Sequence, residues 1–493
     1  MTDLVFLFDP GGDASPAADH VRETVRSETA TVVALQIPTI QDGTLDPAEF
    51  VSCYHQQGID LASIGEAFRL RDIILVTTPN DRSPLNVVFL HVWTWPASTY
   101  DIDAVRIPHQ GDTDPRNNPE GKNPGNIWAF SEPLNDRKPG TQSRLIDPDP
   151  PETVADGHLE VDAIERLLAC HTNAGDTVHI WTAPADAAVV SRVVEDLDRT
   201  PTGVPAGDGD PDRTIPVVTE DFPIERAEDD PELDALDGTI EVTEGTATYR
   251  ICDCRAGIEH LPSASVQDVV TSPPYNIAYD PFNVPKPDPE TGEVRSPLRE
   301  GYDDDMPAEQ YHHLLQSTFD HIDDRMDPAS SDVFVNIKNN YSGGDCRPPF
   351  WLLELVPEAW AFSDLLVWRY DISYDPAKNK YKPYYEWVFR FSKGDPNWPD
   401  DHAHLQDYYI PIVKGNSTER EGLVHPAIYP RGLVKTCLDI SDHSGLVVDP
   451  FLGSGTTIAA ATEMGRPSIG FEKNRTFESD IDTRLRRATP PAQ

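Results

Sequence analysis

The sequence predicts an α/β fold built from βαβ units, and residues 445–472 give the strongest indication. Apolar residues 446–448 predict a buried strand, a glycine-rich turn follows, and residues 456–464 predict a helix. A second apolar run at 467–471 predicts the next strand, which leads directly into Glu472. This succession of strand, turn, helix and strand is typical of a unit that binds a ligand at the ends of its strands.

The turn itself suits a ligand with polar or negatively charged groups. Gly453 and Gly455 let backbone N–H groups come close to a ligand, and the helix N-terminus behind them favours negative charge. A carboxylate after the second strand, here Glu472, can hold two ribose hydroxyls. The unit therefore predicts an adenosine-containing ligand, with an ordinary turn in a packed domain as the alternative.

A second polar corner follows an apolar run that predicts a strand, at Ser272-Pro273-Pro274-Tyr275. Two consecutive prolines remove two backbone donors, so the local carbonyls can accept hydrogen bonds without competition. Tyr275 adds a flat aromatic face beside them. Taken alone, these four residues are also compatible with an unremarkable turn.

Together, the TSPPY and DPFLGSG motifs resemble those of the DNA amino-methyltransferases of the permuted, beta class, in which the SPPY corner precedes the glycine turn. The resemblance implies a Rossmann-like, doubly wound mixed sheet of the S-adenosylmethionine-dependent methyltransferase type. It implies S-adenosylmethionine as cofactor and double-stranded DNA as substrate. The catalytic candidates are Ser272, Pro273, Pro274 and Tyr275. The cofactor-binding candidates are Asp253, His425, Asp449, Phe451, Gly453, Gly455, Thr456 and Glu472.

The resemblance also implies a mechanism that needs neither a metal nor a covalent adduct. Ser272 and the Pro273 carbonyl would accept the hydrogens of an exocyclic amine, while Tyr275 would stack on a base flipped out of the duplex. Serine at the first position resembles the cytosine-N4 enzymes, and adenine-N6 methylation is the alternative. A cytosine-C5 enzyme is set aside because none of the six scattered cysteines follows a proline, and their scatter disfavours a zinc or disulfide framework.

The motifs are also compatible with two further alternatives. One is a methyltransferase-like DNA-binding protein without catalytic activity, and the other is a methyltransferase acting on RNA or on a protein amide. Asp253 has an alternative of its own. Residues 248–254 predict a strand with Asp253 at its end, and this aspartate could cap a turn instead of lying near the adenine.

The chain is strongly acidic, with 84 acidic against 40 basic residues and a net charge of −44. Such a charge ordinarily disfavours DNA, because phosphate binding depends on lysine and arginine. The acidity is dispersed, however, and 11 lysines against 29 arginines resemble the proteins of organisms that keep molar salt inside the cell. At that salt concentration the Debye length is about 3 Å, so local contacts decide DNA binding. We therefore predict a halophilic protein; an acidic protein that avoids nucleic acid is the alternative.

The length of 493 residues predicts two domains in tandem. Residues 248–493 contain both motifs and form the predicted catalytic domain. Residues 201–247 are rich in Pro, Gly, Asp and Glu and form the predicted linker. Residues 1–200 form a predicted methyltransferase-like domain that looks degenerate.

The degeneracy is clearest where residues 174–185 align with 444–455 at a constant offset of 270. In this alignment His179 corresponds to Asp449, and alanines correspond to both glycines. This copy should therefore not bind the cofactor. The prediction is an internal pseudodimer that can act as a monomer, with the N-terminal half helping to hold DNA.

Basic residues in two segments are the candidates for DNA contacts. Residues 375–385 hold three of the 11 lysines among tyrosines, which favours a phosphate-contacting strip with aromatic faces for bases, although a solvated hairpin is the alternative. Residues 100–130 resemble a target-recognition passage of the family. The candidates are Lys378, Lys380, Lys382, Arg106 and Lys122, with Tyr381, Tyr384 and Tyr385 as the aromatic faces.

Neither end of the chain predicts a membrane anchor. No terminal apolar run reaches the roughly 20 residues needed to span a bilayer, and the N-terminus lacks a cleavage signal. We therefore expect a cytoplasmic protein. The family resemblance suggests a companion restriction endonuclease as a partner, in a restriction-modification system.

Overall fold

The computed structural model describes two sheets and their immediate connections. The described residues are 3–7, 31–36, 40–41, 44–45, 69–77, 87–94, 127–128, 153–154, 159–182, 184–205, 240–244, 246–276, 306–342, 345–369, 381, 383–396, 409–410, 422–423, 425 and 427–488. The candidate DNA-contact residues Arg106, Lys122, Lys378, Lys380 and Lys382 lie outside these ranges. Their proposed role therefore stays a prediction.

The N-terminal half contains a mixed sheet flanked by two described helices. Its elements are β1 (Asp3–Leu7), β2 (Thr31–Gln36), β3 (Ile40–Gln41), β4 (Thr44–Leu45), β5 (Arg69–Thr77), β6 (Val87–Thr94), β7 (Ile127–Trp128), β8 (Thr153–Val154), β9 (Leu159–Glu160), α1 (Val161–His171), β10 (Thr177–Thr182), α2 (Pro184–Asp196) and β11 (Thr200–Pro205). Seven of these strands pair in the order β11-β10-β1-β2-β6-β5-β7. β3 pairs with β4 and β8 pairs with β9 in two separate antiparallel pairs, and each of these strands has two residues.

The C-terminal half forms a larger mixed sheet. Its elements are β12 (Ile240–Glu244), β13 (Ala247–Ile251), α3 (Cys254–Ile258), β14 (Val266–Thr271), α4 (Ala308–Asp323), β15 (Ser330–Ile337), β16 (Asn340–Ser342), β17 (Asp345–Arg347), a 3₁₀ helix (Pro349–Glu354), β18 (Trp360–Arg369), β19 (Tyr385–Gly394), β20 (Tyr409–Ile410), α5 (Arg431–Ser441), β21 (Leu446–Asp449), α6 (Thr456–Glu463), β22 (Ser468–Glu472), a 3₁₀ turn (Arg475–Phe477) and α7 (Glu478–Arg487). The sheet order is β12-β13-β22-β21-β14-β15-β19-β18-β20. None of the helices described has both the length and the apolar character needed to cross a lipid bilayer.

The two sheets repeat one topology. The N-terminal order β11-β10-β1-β2-β6-β5-β7 and the C-terminal order β22-β21-β14-β15-β19-β18-β20 follow the same succession along the chain. Corresponding neighbours also pair in the same direction, with the antiparallel pairs β2–β6 and β5–β6 matched by β15–β19 and β18–β19. The prediction of a doubly wound, mixed α/β fold is therefore confirmed for both halves.

The repeat extends to a local irregularity. The pairing of β5 with β6 slips between Leu70 and Asp72, and that of β18 with β19 slips between Phe362 and Asp364. Each aspartate then accepts a hydrogen bond from the backbone N–H of the next residue, at 2.9 and 2.8 Å. A bulge with the same side-chain hydrogen bond at the same place in both sheets is a specific feature of this fold.

The halves share a hydrophobic core. One buried cluster combines strands of both sheets, and Phe89 of β6 stacks on Trp387 of β19 at 6.1 Å between ring centroids. Two tyrosine hydroxyls of the C-terminal half also donate across this boundary. Tyr385 donates to the Ile73 carbonyl at 3.0 Å, and Tyr341 donates to Asp72 at 3.1 Å.

Two predicted boundaries differ from the structure. The segment 201–247, predicted as linker, contains most of β11 at one end and all of β12 at the other. The strand predicted up to Cys254 ends at Ile251, because Asp253 starts α3 instead. In both places the polar and turn-forming residues are compatible with short edge elements that periodicity does not reveal.

Candidate active site

Five parallel strands of the C-terminal sheet end along one edge, in the order β13, β22, β21, β14, β15. Asp253, Glu472, Asp449, Ser272 and Asn336 lie at or next to these strand ends, in the same order. The chain leaves β14 towards β15 but leaves β21 towards β22, so the winding changes direction between β14 and β21. Open α/β sheets bind ligands in such a crevice.

A hydrogen bond joins the two predicted corners across that crevice. Thr271, the last residue of β14, donates from Oγ1 to Asp449 Oδ1 at 2.7 Å. Thr271 immediately precedes Ser272, and Asp449 is the last residue of β21. The SPPY corner and the glycine turn, separated along the chain, are therefore neighbours in space.

The SPPY corner contains a polar cluster in which Asn336 and Glu386 are buried and Ser272 and Tyr275 are half-buried. Ser272 Oγ donates to the Tyr275 hydroxyl at 2.9 Å, and that hydroxyl donates to Glu386 Oε2 at 2.7 Å. Asn336 Nδ2 lies 2.9 Å from both the Tyr275 oxygen and Glu386 Oε2. The Lys338 ammonium lies 5.2 Å from the centroid of the Tyr275 ring. Tyr275 is thus held by its hydroxyl as well as by its ring.

The chain on either side of the corner is fixed by two side chains. Tyr311 of α4 donates to the Pro274 carbonyl at 2.5 Å. Asn276 has a left-handed φ of 48°, and its side chain pairs with both backbone groups of Met306, at 2.7 and 2.9 Å. The two ends of the segment 277–305, which is outside the described residues, are thereby held together beside the corner.

Asp449 organises the glycine turn from a fully buried position. Besides the bond from Thr271, its carboxylate accepts from Thr457 Oγ1 at 2.7 Å, from the Tyr429 hydroxyl at 3.2 Å and from the Phe451 N–H at 3.1 Å. Burial raises the pKa of Asp449, and these donors partly offset that effect. Asp449 thus holds the glycine turn in place through these hydrogen bonds.

Gly453 and Gly455 both adopt left-handed backbone conformations, with φ of 54° and 84°. A Cβ added at Gly453 would lie 3.0 Å from His425 Nε2, and one added at Gly455 would lie 3.2 Å from Ile481 Cα. The turn therefore requires glycine both for its conformation and for its space. The absence of side chains here fits the close backbone approach expected for an adenosine-containing ligand.

Glu472 lies at the end of β22, against the same turn. Its Oε2 accepts the Gly453 N–H at 2.8 Å and its Oε1 accepts the Asn474 N–H at 2.7 Å. Burial is the main cause that raises the pKa of Glu472 to about 7, although these N–H groups act in the opposite direction. Each oxygen keeps a second lone pair, so the carboxylate can also accept two ribose hydroxyls.

We expect ligand binding at this site to depend on pH through Glu472. Ribose hydroxyls that donate to the carboxylate favour its ionised form, so binding should lower the raised pKa and release protons. Affinity for S-adenosylmethionine should therefore increase as the pH rises through about 7, with release of up to about half a proton at pH 7. Calorimetry in buffers of different ionisation enthalpy measures this number. Glu472→Gln should remove the pH dependence, and an unchanged proton count in that variant would contradict the assignment.

Asp253 caps a helix as well as lying near the site. It is the N-cap of α3, and its side chain accepts from the Arg255 backbone N–H at 3.1 Å and from the Arg255 guanidinium at 3.0 Å. Burial alone would raise the pKa of Asp253, but the hydrogen bonds and charge of Arg255 leave it lowered. Lys473, the residue after Glu472, lies 3.9 Å from the other oxygen. The capping alternative therefore describes the local structure, and a cofactor contact stays a prediction.

The remaining cofactor candidates line the turn. The His425 ring packs against Phe477 at 4.4 Å between centroids, and its backbone N–H donates to Asp480 at 2.8 Å. Phe451 is half-buried, whereas Thr456 at the start of α6 is 1% exposed. His425 thus borders Gly453 directly, while Thr456 serves the packing of the helix.

One cluster of ligand-type side chains within the described residues resembles a metal site. Asp268, Asp332 and His443 bring their ligand atoms within 4.8 Å of one another. The two carboxylates are already neutralised, because Arg466 pairs with Asp268 at 2.6 Å and Arg390 pairs with Asp332 at 2.8 Å. The arrangement is an ion-pair network whose carboxylates lie on β14 and β15.

The tyrosines of the predicted DNA-contacting strip have structural roles. Tyr381 is fully buried in the core cluster of the N-terminal half, and Tyr385 is 2% exposed. Tyr384 is half-buried against the C-terminal core. The expectation that Tyr381 and Tyr385 present aromatic faces to bases is therefore wrong, because their rings join the two halves.

Several residues of the two polar clusters were not predicted from the sequence. Glu386 and Asn336 complete the SPPY cluster, and Thr271, Tyr429 and Thr457 complete the Asp449 cluster. Glu386 lies in β19, between Tyr385 and Trp387. A carboxylate within the otherwise aromatic and apolar run of residues 385–389 was the available signal.

The fold thus defines a doubly wound α/β domain whose winding changes direction between β14 and β21, with both polar corners at the ends of these strands. Residues 266–482 match the N6_N4_Mtase family model, described as DNA methylase. The chain is 26% identical over 189 residues to the orphan methyltransferase M.BamHII of Bacillus amyloliquefaciens, covering 30% of this chain and 70% of the relative. It is 24% identical over 303 residues to the type II methyltransferase M.SmaI of Serratia marcescens, covering 52% and 97%.

Among solved structures, the putative DNA modification methylase TTHA0409 of Thermus thermophilus, in complex with S-adenosylmethionine, matches with a TM-score of 0.34 and 19% identity, covering 49% of this chain and 93% of that one. The family model and the sequence relatives together support an amino-methyltransferase in the C-terminal half.

Proposed function

We propose that the chain transfers a methyl group from S-adenosylmethionine to the exocyclic N4 amine of cytosine in duplex DNA. The observation that carries this proposal is the 2.7 Å hydrogen bond between Thr271 and Asp449, which fixes the SPPY corner beside the glycine turn. A methyl donor on the turn and a base at the corner then meet in one crevice.

The glycine turn is the proposed cofactor site. S-adenosylmethionine, when bound, supplies an electrophilic methyl group on its sulfonium. Gly453 and Gly455 give the backbone room to approach it, and Glu472 accepts its ribose hydroxyls. Asp253, at the neighbouring strand end, is the candidate beside the adenine. His425 and Phe451 border the same turn.

The SPPY corner is the proposed base site. An exocyclic amine is a poor nucleophile because its lone pair is delocalised into the ring. Ser272 Oγ and the Pro273 carbonyl accept its two hydrogens and so favour a pyramidal nitrogen with an available lone pair. Tyr275 stacks on the base after the base leaves the duplex.

Serine at the first position favours cytosine N4 over adenine N6. Adenine-N6 enzymes of this kind more often have Asp or Asn there, and a neutral hydroxyl is a weaker acceptor than a carboxylate. A non-catalytic DNA-binding protein is disfavoured by the close placement of both corners. Methylation of RNA or of a protein amide is the remaining competitor, since a PPY corner can hold any planar NH₂ group.

The N-terminal half is proposed as a non-catalytic partner that completes an internal pseudodimer. The repeated sheet order and the matched bulges at Asp72 and Asp364 support a duplicated domain. At the position that the sequence aligns with Asp449 stands His179, whose Nδ1 lies 2.7 Å from Thr202 Oγ1. The proposed setting is a salt-rich cytoplasm, where Arg106, Lys122 and the lysines 378, 380 and 382 make local phosphate contacts.

The test is methyl transfer by the full-length chain in molar KCl. Unmethylated duplex DNA, RNA and total protein are each incubated with S-adenosylmethionine labelled on its methyl group. Label is expected in DNA, and base-resolved sequencing should place it on cytosine N4 within one recurring sequence. Label on adenine would change the assigned base from cytosine to adenine. Label in RNA or protein alone would overturn the assignment of DNA as substrate.

Ser272→Ala is expected to reduce kcat for DNA on the order of 100-fold, because the amine loses a positioned acceptor. Affinity for S-adenosylmethionine should stay within about twofold, since Ser272 does not belong to the glycine turn. Rates and calorimetry on the same preparation separate the two effects. A variant with full activity would remove Ser272 from the reaction.

A further inference from the structure

The hydrogen-bond directions at the SPPY corner are set by Glu386. An ionised carboxylate only accepts, so the Tyr275 hydroxyl must donate to Glu386 Oε2, 2.7 Å away. That uses the single hydrogen of Tyr275, so Ser272 Oγ must donate to the tyrosine oxygen, 2.9 Å away. Ser272 is left with lone pairs for an incoming amine, as its proposed role requires.

Asn336 reinforces this order from the end of β15. It is 4% exposed, and its Nδ2 lies 2.9 Å from Glu386 Oε2, which fixes the amide with its nitrogen towards the carboxylate. The same nitrogen lies 2.9 Å from the Tyr275 oxygen and 3.4 Å from Ser272 Oγ. Asn336 Oδ1 is buried and has no hydrogen-bond partner within the described part of the chain. An unpartnered buried acceptor beside the cluster points to a ligand that brings a donor.

Glu386 is also held in place from both sides along β19. Tyr385 donates to the Ile73 carbonyl of the N-terminal half at 3.0 Å, and Trp387 donates to Asn339 Oδ1 at 2.6 Å. Glu386 itself is 4% exposed. The transfer of a charged group out of water is unfavourable, and the hydrogen bonds from the Tyr275 hydroxyl and the Asn336 amide partly offset that cost for Glu386.

We infer that Ser272, Tyr275 and Glu386 form a proton relay that carries the amine proton away from the methylated nitrogen, with Glu386 as the terminal acceptor. This inference rests on the proposed function. As the nitrogen lone pair forms the N–C bond and the S–C bond breaks with its pair left on sulfur, the nitrogen becomes cationic. One N–H proton then passes to Ser272 Oγ, the serine proton passes to the Tyr275 oxygen, and the tyrosine proton passes to Glu386. Glu386 ends as a neutral carboxylic acid and returns its proton to solvent before the next turnover.

The relay gives Tyr275 a second role that stacking does not require. Stacking needs only the ring, whereas the relay needs the hydroxyl. Tyr275→Phe keeps the ring and removes the link, and Glu386→Gln keeps an acceptor oxygen but cannot take a proton. The two variants interrupt the same path at different atoms, so their effects should not add.

The experiment is a double-mutant cycle on the full-length chain. Methyl transfer to unmethylated duplex DNA is measured for wild type, Y275F, E386Q and the double variant, with KM for DNA and affinity for S-adenosylmethionine determined for each. Each single variant should lower kcat on the order of 100-fold with donor affinity unchanged, and the double variant should lose no more than about threefold beyond either one. E386D should recover part of the rate lost in E386Q. Exposed Glu358→Gln, a matched loss of one charge, should behave as wild type.

The outcomes separate the relay from simpler roles. Losses that multiply in the double variant, a Y275F enzyme with full kcat, or a drop in donor affinity as large as the drop in kcat would each overturn the relay. Y275F decides the question even where E386Q does not fold. A wild-type chain inactive on every DNA contradicts the proposed function and the relay with it, whereas an active wild type with unimpaired variants contradicts the relay alone.

Discussion

Replacing Asp449 by alanine is expected to weaken binding of S-adenosylmethionine by about a thousandfold, or roughly 4 kcal/mol. The carboxylate accepts from three hydroxyls and one backbone N–H, and it is fully buried. Its removal leaves these donors unsatisfied, and each unsatisfied buried group costs about 1–3 kcal/mol. The turn at Gly453 should then lose the conformation that admits the ligand. Isothermal titration with the donor measures the loss directly.

Two milder variants distinguish the loss of the hydrogen bonds to Asp449 from a general packing defect. Asp449→Asn keeps an acceptor oxygen for Thr271 and the Phe451 N–H, and hydroxyls of Thr457 and Tyr429 can accept from its NH₂ group. Thr457→Val removes one hydroxyl and keeps the shape of the side chain. Both are expected to bind the donor within about tenfold of wild type. Donor affinity in Asp449→Ala equal to that of wild type would show that the turn forms without its carboxylate.

The sequence predicted local elements of the site well because local chemistry defines them. Glycine is required where φ is positive, as at Gly453 and Gly455, and two prolines define the SPPY corner. Strand ends followed from apolar runs that stop at a polar residue, as at Asp449 and Glu472. Each of these signals lies within a few residues of the feature that it predicts.

Contacts between distant residues could not be predicted in the same way. Glu386 is 111 residues from Tyr275, and Thr271 is 178 residues from Asp449. Periodicity indicates that a side chain faces inwards but not which partner it meets there. Tyr381 shows the same limit, because a tyrosine among lysines was expected at the surface and is buried in the other half.

The repeated topology of the two sheets could be predicted only in part. The similarity of residues 174–185 to 444–455 indicated a repeat, but strand order and direction are properties of the folded sheet. The matched bulges at Asp72 and Asp364 depend on register, which a one-residue slip would destroy. Such a feature is fixed by backbone pairing and is not visible in the sequence.

Replacing Asp332 by alanine is expected to lower the free energy of unfolding by about 3–5 kcal/mol. Asp332 and Arg390 are both 0% exposed, and the guanidinium donates twice to the carboxylate, at 3.0 and 2.8 Å. Without Asp332 the Arg390 guanidinium stays buried and charged but no longer has a carboxylate to which it can donate two hydrogen bonds. Chemical denaturation monitored by circular dichroism measures the change.

Asp196→Ala is the matched control, because Asp196 pairs with Arg192 at 3.6 Å on the surface of α2, where the side chains are 66% and 50% exposed. This pair should contribute less than about 0.5 kcal/mol and should weaken further in molar KCl. The loss in Asp332→Ala should instead persist in molar KCl, since salt does not screen a buried pair effectively.

An Asp332→Ala variant as stable as Asp196→Ala would mean that Arg390 finds another partner or reaches water. Persistence of the loss at high salt would show that this buried ion pair stabilises the pairing of β15 with β19, where Asp332 lies opposite Ser392, a few residues from Asn336 and Glu386.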